Sequence, residues 1–242
     1  MRGARAALAF LTRLPAGRLE AADFARAPGW FTGVGLGVGA VQALVWCGAA
    51  ALWPPVLAAV AAVAAGLMIT GALHEDGLAD AFDGLGSGRP AERALEIMRD
   101  SRIGSFGALA LGLVMAARVV ALVGLGPLAP VALVAGQGLS RAAMTGMLRA
   151  GPYLRAQGTG TGMTGALGPG LVPLGLAVAA ASLLAAWAMG WALLGGLAGL
   201  ILGAGAMRFW ALRRLGGITG DILGAAQGLG DLGFLLGVLA CL

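Results

Sequence analysis

A chain of 242 residues that is 59% hydrophobic, only 11% charged and has a mean hydropathy of +0.90 carries more apolar surface than a water-soluble domain of this length can hide. An ordinary soluble enzyme is thereby excluded, and an all-α, polytopic membrane bundle forming a single domain over 1–242 is predicted. The net charge of +5 comes from sixteen arginines and no lysine, a balance that fits loops facing anionic lipid better than a nucleic-acid surface.

The first stretch, 1 to 29, is weakly apolar and punctuated by Arg2, Arg5, Arg13, Arg18 and Arg26. It has no long apolar run ending in small residues, so no cleavable leader is expected and the chain should stay in the membrane. A helix needs about 20 apolar residues to cross ~30 Å of hydrocarbon. Six to seven such spans are predicted, at roughly 30 to 50, 55 to 73, 103 to 124, 128 to 148, 171 to 189, 191 to 209 and 218 to 240. Short uncharged turns (Trp53-Pro54-Pro55, 124 to 130, Met189-Gly190-Trp191) alternate with longer connections that hold the arginines. Fourteen of the sixteen fall on one side of this arrangement, which places the N-terminus and the long loops in the cytoplasm. Arg118 and Arg141 lie within spans. Glycine runs such as Gly33, Gly35, Gly37 and Gly39, or Gly195, Gly196 and Gly199, are expected to be packing seams, since no nucleotide-loop spacing accompanies them. Cys47 and Cys241 sit in apolar stretches without metal or disulfide spacing and are expected to be packed small hydrophobes.

After the second span comes His74-Glu75-Asp76-Gly77-Leu78-Ala79-Asp80-Ala81-Phe82-Asp83-Gly84, and seven of the eleven acidic residues lie between Glu75 and Asp100. In a helix, Asp76, Asp80 and Asp83 stand at i, i+4 and i+7 and share one face. Like charges at that spacing repel, the more so beside hydrocarbon, so a cation is expected among them. Hard oxygen donors suit Mg²⁺ or Mn²⁺ better than zinc. The bland alternative is a solvated face neutralised by Arg89 and Arg93. His74, the only histidine, could be a ligand, a proton carrier or an orienter of Asp76. Glu75 points off the shared face and is expected to be solvated or paired.

The next stretch, Glu92 to Gly104, has Glu92, Glu96 and Asp100 every four residues and Arg99 three after Glu96. It admits a surface helix laced by ion pairs. It equally admits an anion site in which Arg99 and Arg102 flank the Ser101 hydroxyl at a helix start.

The chain resembles the cobalamin synthase family, the adenosylcobinamide-GDP ribazoletransferases. The resemblance is carried by Phe10-Leu11-Thr12-Arg13-Leu14-Pro15, the His74-to-Gly84 stretch, and Leu95-Glu96-Ile97-Met98-Arg99-Asp100-Ser101-Arg102-Ile103-Gly104. Ser140-Arg141, Pro152-Tyr153-Leu154-Arg155 and the stretch from Arg214 through Asp221 to Ala226 continue it. Three positions depart from the family pattern: Glu75 stands where an apolar residue is usual, and Gly228 and Asp231 stand where glutamates are common. The resemblance implies joining of adenosylcobinamide-GDP to α-ribazole or its 5′-phosphate with release of GMP, dependent on Mg²⁺, at the cytoplasmic face of a bacterial inner membrane. On that footing Asp76, Asp80 and Asp83 are expected to hold Mg²⁺ on the pyrophosphate, with Asp100 or Asp221 completing the shell. Asp80 and Asp76 are the expected catalytic carboxylates, Asp80 accepting the hydroxyl proton. His74, Arg99, Ser101, Arg102, Arg141, Arg214 and Asp221 are expected to bind substrate, while Arg118 is expected to be paired structurally. A homo-oligomer is compatible with the sequence. Two other readings compete: a CDP-alcohol phosphotransferase, whose motif would have Arg where Asp80 stands, and a divalent-cation transporter, which would place acids in mid-span.

Overall fold

The structure, a computed structural model, describes residues 2–154, 163 and 170–242. Every named element in it is helical. A short amphipathic helix α1 (Arg2–Leu11) and a single turn α2 (Ala21–Phe24) lead to α3 (Phe31–Ala50) and α4 (Pro55–Thr70). Then follow α5 (Leu73–Gly86), α6 (Ala91–Ile97), α7 (Ser105–Leu125), α8 (Ala129–Arg149), α9 (Leu171–Met189), α10 (Ala192–Leu215) and α11 (Gly220–Leu239). The seven predicted spans correspond to α3, α4, α7, α8, α9, α10 and α11, with ends displaced by a few residues. Among the described residues five stretches are long and apolar enough to cross a membrane, one of them being α7 and α8 run together as Ser105–Arg149, and α4 with α5 makes a sixth if that bent pair is one span. The chain is a multi-pass membrane protein. Its outer face is apolar, as lipid requires: Leu44, Met68, Leu113, Leu183 and Trp187 are each more than two-thirds exposed.

The glycine seams are real but selective. Gly35 and Gly39 of α3 lie against the backbone of α8 at Gln137 and Leu133, whereas Gly33 and Gly37 face open space. Along α10, Gly195 and Gly199 meet Gly237 and Gly233 of α11 backbone to backbone, closer than any side chain would permit. In lipid such contact replaces the hydrophobic effect as the cohesive force.

Two features depart from expectation. The second span does not run into the acidic stretch: the chain turns by 90° between α4 and α5. Gly71 (φ +65°) and Ala72 (φ +57°) make the turn in consecutive left-handed conformations. Such a φ costs an alanine about 1 kcal/mol or more, so packing must enforce it. The Arg13 side chain lies over Gly71, and the Arg13 N–H donates to the Ile69 carbonyl at 2.8 Å. The N-terminal stretch, expected only as a weakly apolar leader into the first span, is a helix that buries Gly3, Ala6, Ala7 and Leu11. That i, i+3, i+4, i+8 spacing is an amphipathic helix signal.

Candidate functional site

Helix α5 carries the acidic cluster as predicted, and α11 approaches it through two glycines. A Cβ at Gly77 would stand 3.0 Å from the Asp221 backbone, and one at Gly224 would stand 3.3 Å from the His74 backbone. Close approach of these helices brings Asp221, in the first turn of α11, beside Asp76. Thr219 caps α11, accepting from the Ile222 N–H at 3.3 Å, and its hydroxyl donates to Asp221 Oδ2 at 3.3 Å. Between Pro152 and Ile218 a short parallel bridge forms: the Leu154 N–H donates to the Ile218 carbonyl and the Ile218 N–H to the Pro152 carbonyl, both at 2.9 Å. The bridge holds Tyr153 against the same place. Asp76, Asp221, His74 and Tyr153 thus border one cavity of about 180 Å³, whose remaining wall is apolar and includes Phe10, Phe31, Met144, Leu148 and Leu223.

The other predicted site residues are distributed more widely. Asp80 is partly exposed on α5. Asp83 is buried and already engaged: Oδ2 accepts the Gly104 N–H at 2.7 Å and Oδ1 the Gly107 N–H at 2.8 Å. It caps α7 from outside, neutralising the positive end of that helix, so both oxygens of this expected metal ligand already accept from the chain. Asp100, also expected as a ligand, forms a fork with its own neighbour: Arg102 Nε donates to Oδ1 at 3.0 Å and Nη2 to Oδ2 at 2.6 Å. Those hydrogen bonds hold the exposed Asp100 carboxyl down to about 2 and raise the Arg102 guanidinium. Asp100, Arg102 and Asp83 line a separate open depression with Arg89 and Phe106, apart from Asp76. Among the described residues, no three His, Cys, Asp or Glu side chains are gathered to hold a metal ion. Arg99 and Ser101 are exposed, and Arg214 is exposed with Nη2 donating to the Arg89 carbonyl at 3.0 Å. The ion-paired reading of this stretch finds support, since Arg93 also pairs with Glu96 at 2.6 Å. Arg155 lies outside the described residues.

Arg141 does not join the exposed arginines. It is buried on α8, its Nη1 donating to the Gln137 carbonyl at 3.0 Å and to Gln137 Oε1 at 2.6 Å. Around it is an interior polar network that the sequence only hinted at. Arg118 of α7 pairs with Glu75 at 3.2 Å and with Asp231 at 2.7 Å, and Gln137 Nε2 donates to Asp231 Oδ2 at 2.9 Å. Gln227 Nε2 donates to the Ser140 hydroxyl at 2.9 Å. Glu75 is therefore paired, not solvated, and Arg118 is the structural partner expected of it. His74, Glu75, Arg118, Gln137 and Arg141 border an internal space of about 10 Å³, the room of one water molecule. Into this region the unpartnered atoms His74 Nε2, Glu75 Oε2, Gln42 Oε1, Arg118 Nε and Arg141 Nε are buried. The signal that could have located the network is ionisable and amide side chains inside apolar spans, Gln42 and Gln137 included.

The profile of the cobalamin-5-phosphate synthase family matches residues 3–239, nearly the whole chain. The chain belongs to that family. Similar proteins include the adenosylcobinamide-GDP ribazoletransferase of Bradyrhizobium diazoefficiens, 43% identical over 96% of this chain and 91% of that protein. The enzyme of that name from Leptothrix cholodnii is 42% identical over 86% of this chain and 82% of its own length. The one from Shewanella frigidimarina is 36% identical over 97% and 92%. No solved structure matches. In this chain α5 supplies Glu75 to the buried pair with Arg118 of α7 and Asp76 to the cavity it borders with Asp221 of α11.

Proposed function

We propose that this protein joins adenosylcobinamide-GDP to α-ribazole or α-ribazole 5′-phosphate, releasing GMP, at the cytoplasmic face of a bacterial inner membrane. What carries this is the cavity at which Asp76 of α5 meets Asp221 of α11, in a chain whose relatives over nearly its full length bear that activity in their names. A ribazole hydroxyl attacks the cobinamide-bearing phosphorus; the new O–P bond forms, the bridging P–O bond breaks, GMP leaves, and one proton is released.

The donor set fits Mg²⁺. Asp76 and Asp80 offer hard oxygens one helical turn apart, and Asp221 stands across the cavity from Asp76. Mg²⁺ binds through one or two carboxylates completed by water and substrate phosphate, so a preassembled cage of protein ligands is not required. When bound, the ion would supply charge neutralisation at the pyrophosphate. The chain's own residues do the rest. Asp80 or Asp76 accepts the hydroxyl proton, and Asp221, held by the Thr219 hydroxyl, fixes the opposite wall. Arg99 and Arg214 offer exposed guanidinium groups to the phosphates, with Ser101 as a further donor, and Arg102 can join them by exchanging its Asp100 partner for phosphate. Arg141, buried on Gln137, is left out of that clamp.

Purified protein in lipid, given adenosylcobinamide-GDP, α-ribazole 5′-phosphate and Mg²⁺, is expected to yield GMP and a corrinoid carrying the lower base. Magnesium withdrawal by chelator should stop it. A lipid-reconstituted, folded protein that forms neither product rules the reaction out.

A further inference from the structure

Resting on the proposed reaction, we infer that the apolar part of the Asp76 cavity is the seat of the acceptor's heteroaromatic base, so that this pocket selects the lower base of the product. Size is the first argument. The cavity measures about 180 Å³. A cavity of ~150 Å³ lined by aliphatic and aromatic side chains takes benzene. A flat base of one or two rings is therefore the right scale, and a corrin macrocycle is far too large.

Chemistry is the second. Behind the polar rim of Asp76, Asp221 and His74 the wall consists of Phe31, Met144, Leu148 and Leu223, all buried. The half-buried Phe10 stacks on the fully buried Phe31 with ring centroids 5.7 Å apart and planes within 10°, so the cavity wall includes a stacked aromatic pair. A benzimidazole has an apolar carbocyclic edge to bury there. Guanine, the other base in the reaction, carries polar groups along its edge that would lose water and find no partner among these side chains.

Position is the third. A base seated against Phe10 and Leu148 leaves its sugar at the rim, where Asp76 and Asp221 stand. The attacking hydroxyl then lies at the carboxylates and the base lies away from them. Tyr153, its backbone fixed by the bridge to Ile218, borders the same cavity, so on this assignment its side chain is the one that limits the length of base that enters.

The test uses the full-length protein in lipid with two variants of opposite effect, Leu148→Phe to fill the pocket and Tyr153→Ala to open it. Leu148→Phe is expected to raise KM for α-ribazole by about tenfold or more, the scale of a mismatched apolar group, with KM for adenosylcobinamide-GDP unchanged. Equilibrium dialysis of α-ribazole without Mg²⁺ should show the same loss of binding. Tyr153→Ala should accept bulkier benzimidazole nucleosides that the wild type excludes. If the wild type turns over but both variants keep its KM for α-ribazole and its base preference, the pocket assignment is wrong. A rise confined to adenosylcobinamide-GDP would give the pocket to guanine instead and equally overturn it. A wild type without turnover, by contrast, refutes the reaction itself.

Discussion

The interior network around Arg118 and the cavity around Asp76 share His74 as a common wall, yet they treat charge in opposite ways. Inside, each formal charge has a fixed protein partner or amide: Arg118 lies between Glu75 and Asp231, and Arg141 on Gln137. At the Asp76 cavity, carboxylates face one another across α5 and α11 with an apolar wall behind them. Consecutive residues, Glu75 and Asp76, belong to the two regions. A charge that supports the fold is surrounded by counter-charge from the chain. A charge at the cavity lies where a ligand can reach it.

Substitutions on either side should separate the two behaviours. The largest effect is expected from Asp76→Asn: a fall in GMP release of roughly a hundredfold or more with thermal unfolding in detergent unchanged, because a reacting-centre carboxylate is removed without opening the core. If stability fell as far as turnover, Asp76 would belong with the interior group. Next comes Arg118→Leu, which strands two buried carboxylates and should cost about 3–5 kcal/mol. Adding Glu75→Leu and Asp231→Leu should return much of that, as read by unfolding midpoints. Gly77→Ala pushes a methyl onto the Asp221 backbone, 3.0 Å away. It should cost roughly 1–3 kcal/mol and lower turnover further by parting α5 from α11.

Asp83→Asn leaves an oxygen for only one of the two N–H donors at the start of α7 and should cost about 1–2 kcal/mol, with Mg²⁺ affinity retained. Loss of Mg²⁺ affinity without loss of stability would restore Asp83 to the metal shell. The smallest effect concerns Asp100, whose carboxyl is depressed to about 2 by Arg102. A depressed carboxyl stabilises the folded state above its unfolded value, near 4, and that contribution disappears as pH falls toward 2. NMR of the Asp100 carboxyl carbon should show titration shifted below that of a free aspartate.

Much of this was legible in the sequence because lipid imposes simple rules. Length and apolar content placed seven helices within a few residues, and the 3.6-residue period placed Asp76, Asp80 and Asp83 on one helix, as found. Sharing a helix face did not mean sharing surroundings. Asp83 points at the α7 N-terminus, and nothing local to its sequence says that Gly104 and Gly107 arrive there. Arg141 likewise sits in a motif with a serine, yet its direction is set by Gln137, four residues back on the same helix. The bend at Gly71 and Ala72 was hidden because alanine gives no sign of a left-handed backbone.

That bend has a mechanical consequence. Helix α5, 14 residues and so ~21 Å long, is anchored at its start by two left-handed residues under Arg13 and near its far end by Asp83 on α7. It is a beam supported at both ends, with Asp76 and Asp80 between the supports. The helix cannot readily swing outward, so the separation of the two side chains is set before any phosphate arrives. Their ordering is completed during folding, and none of it has to be found when the substrate binds.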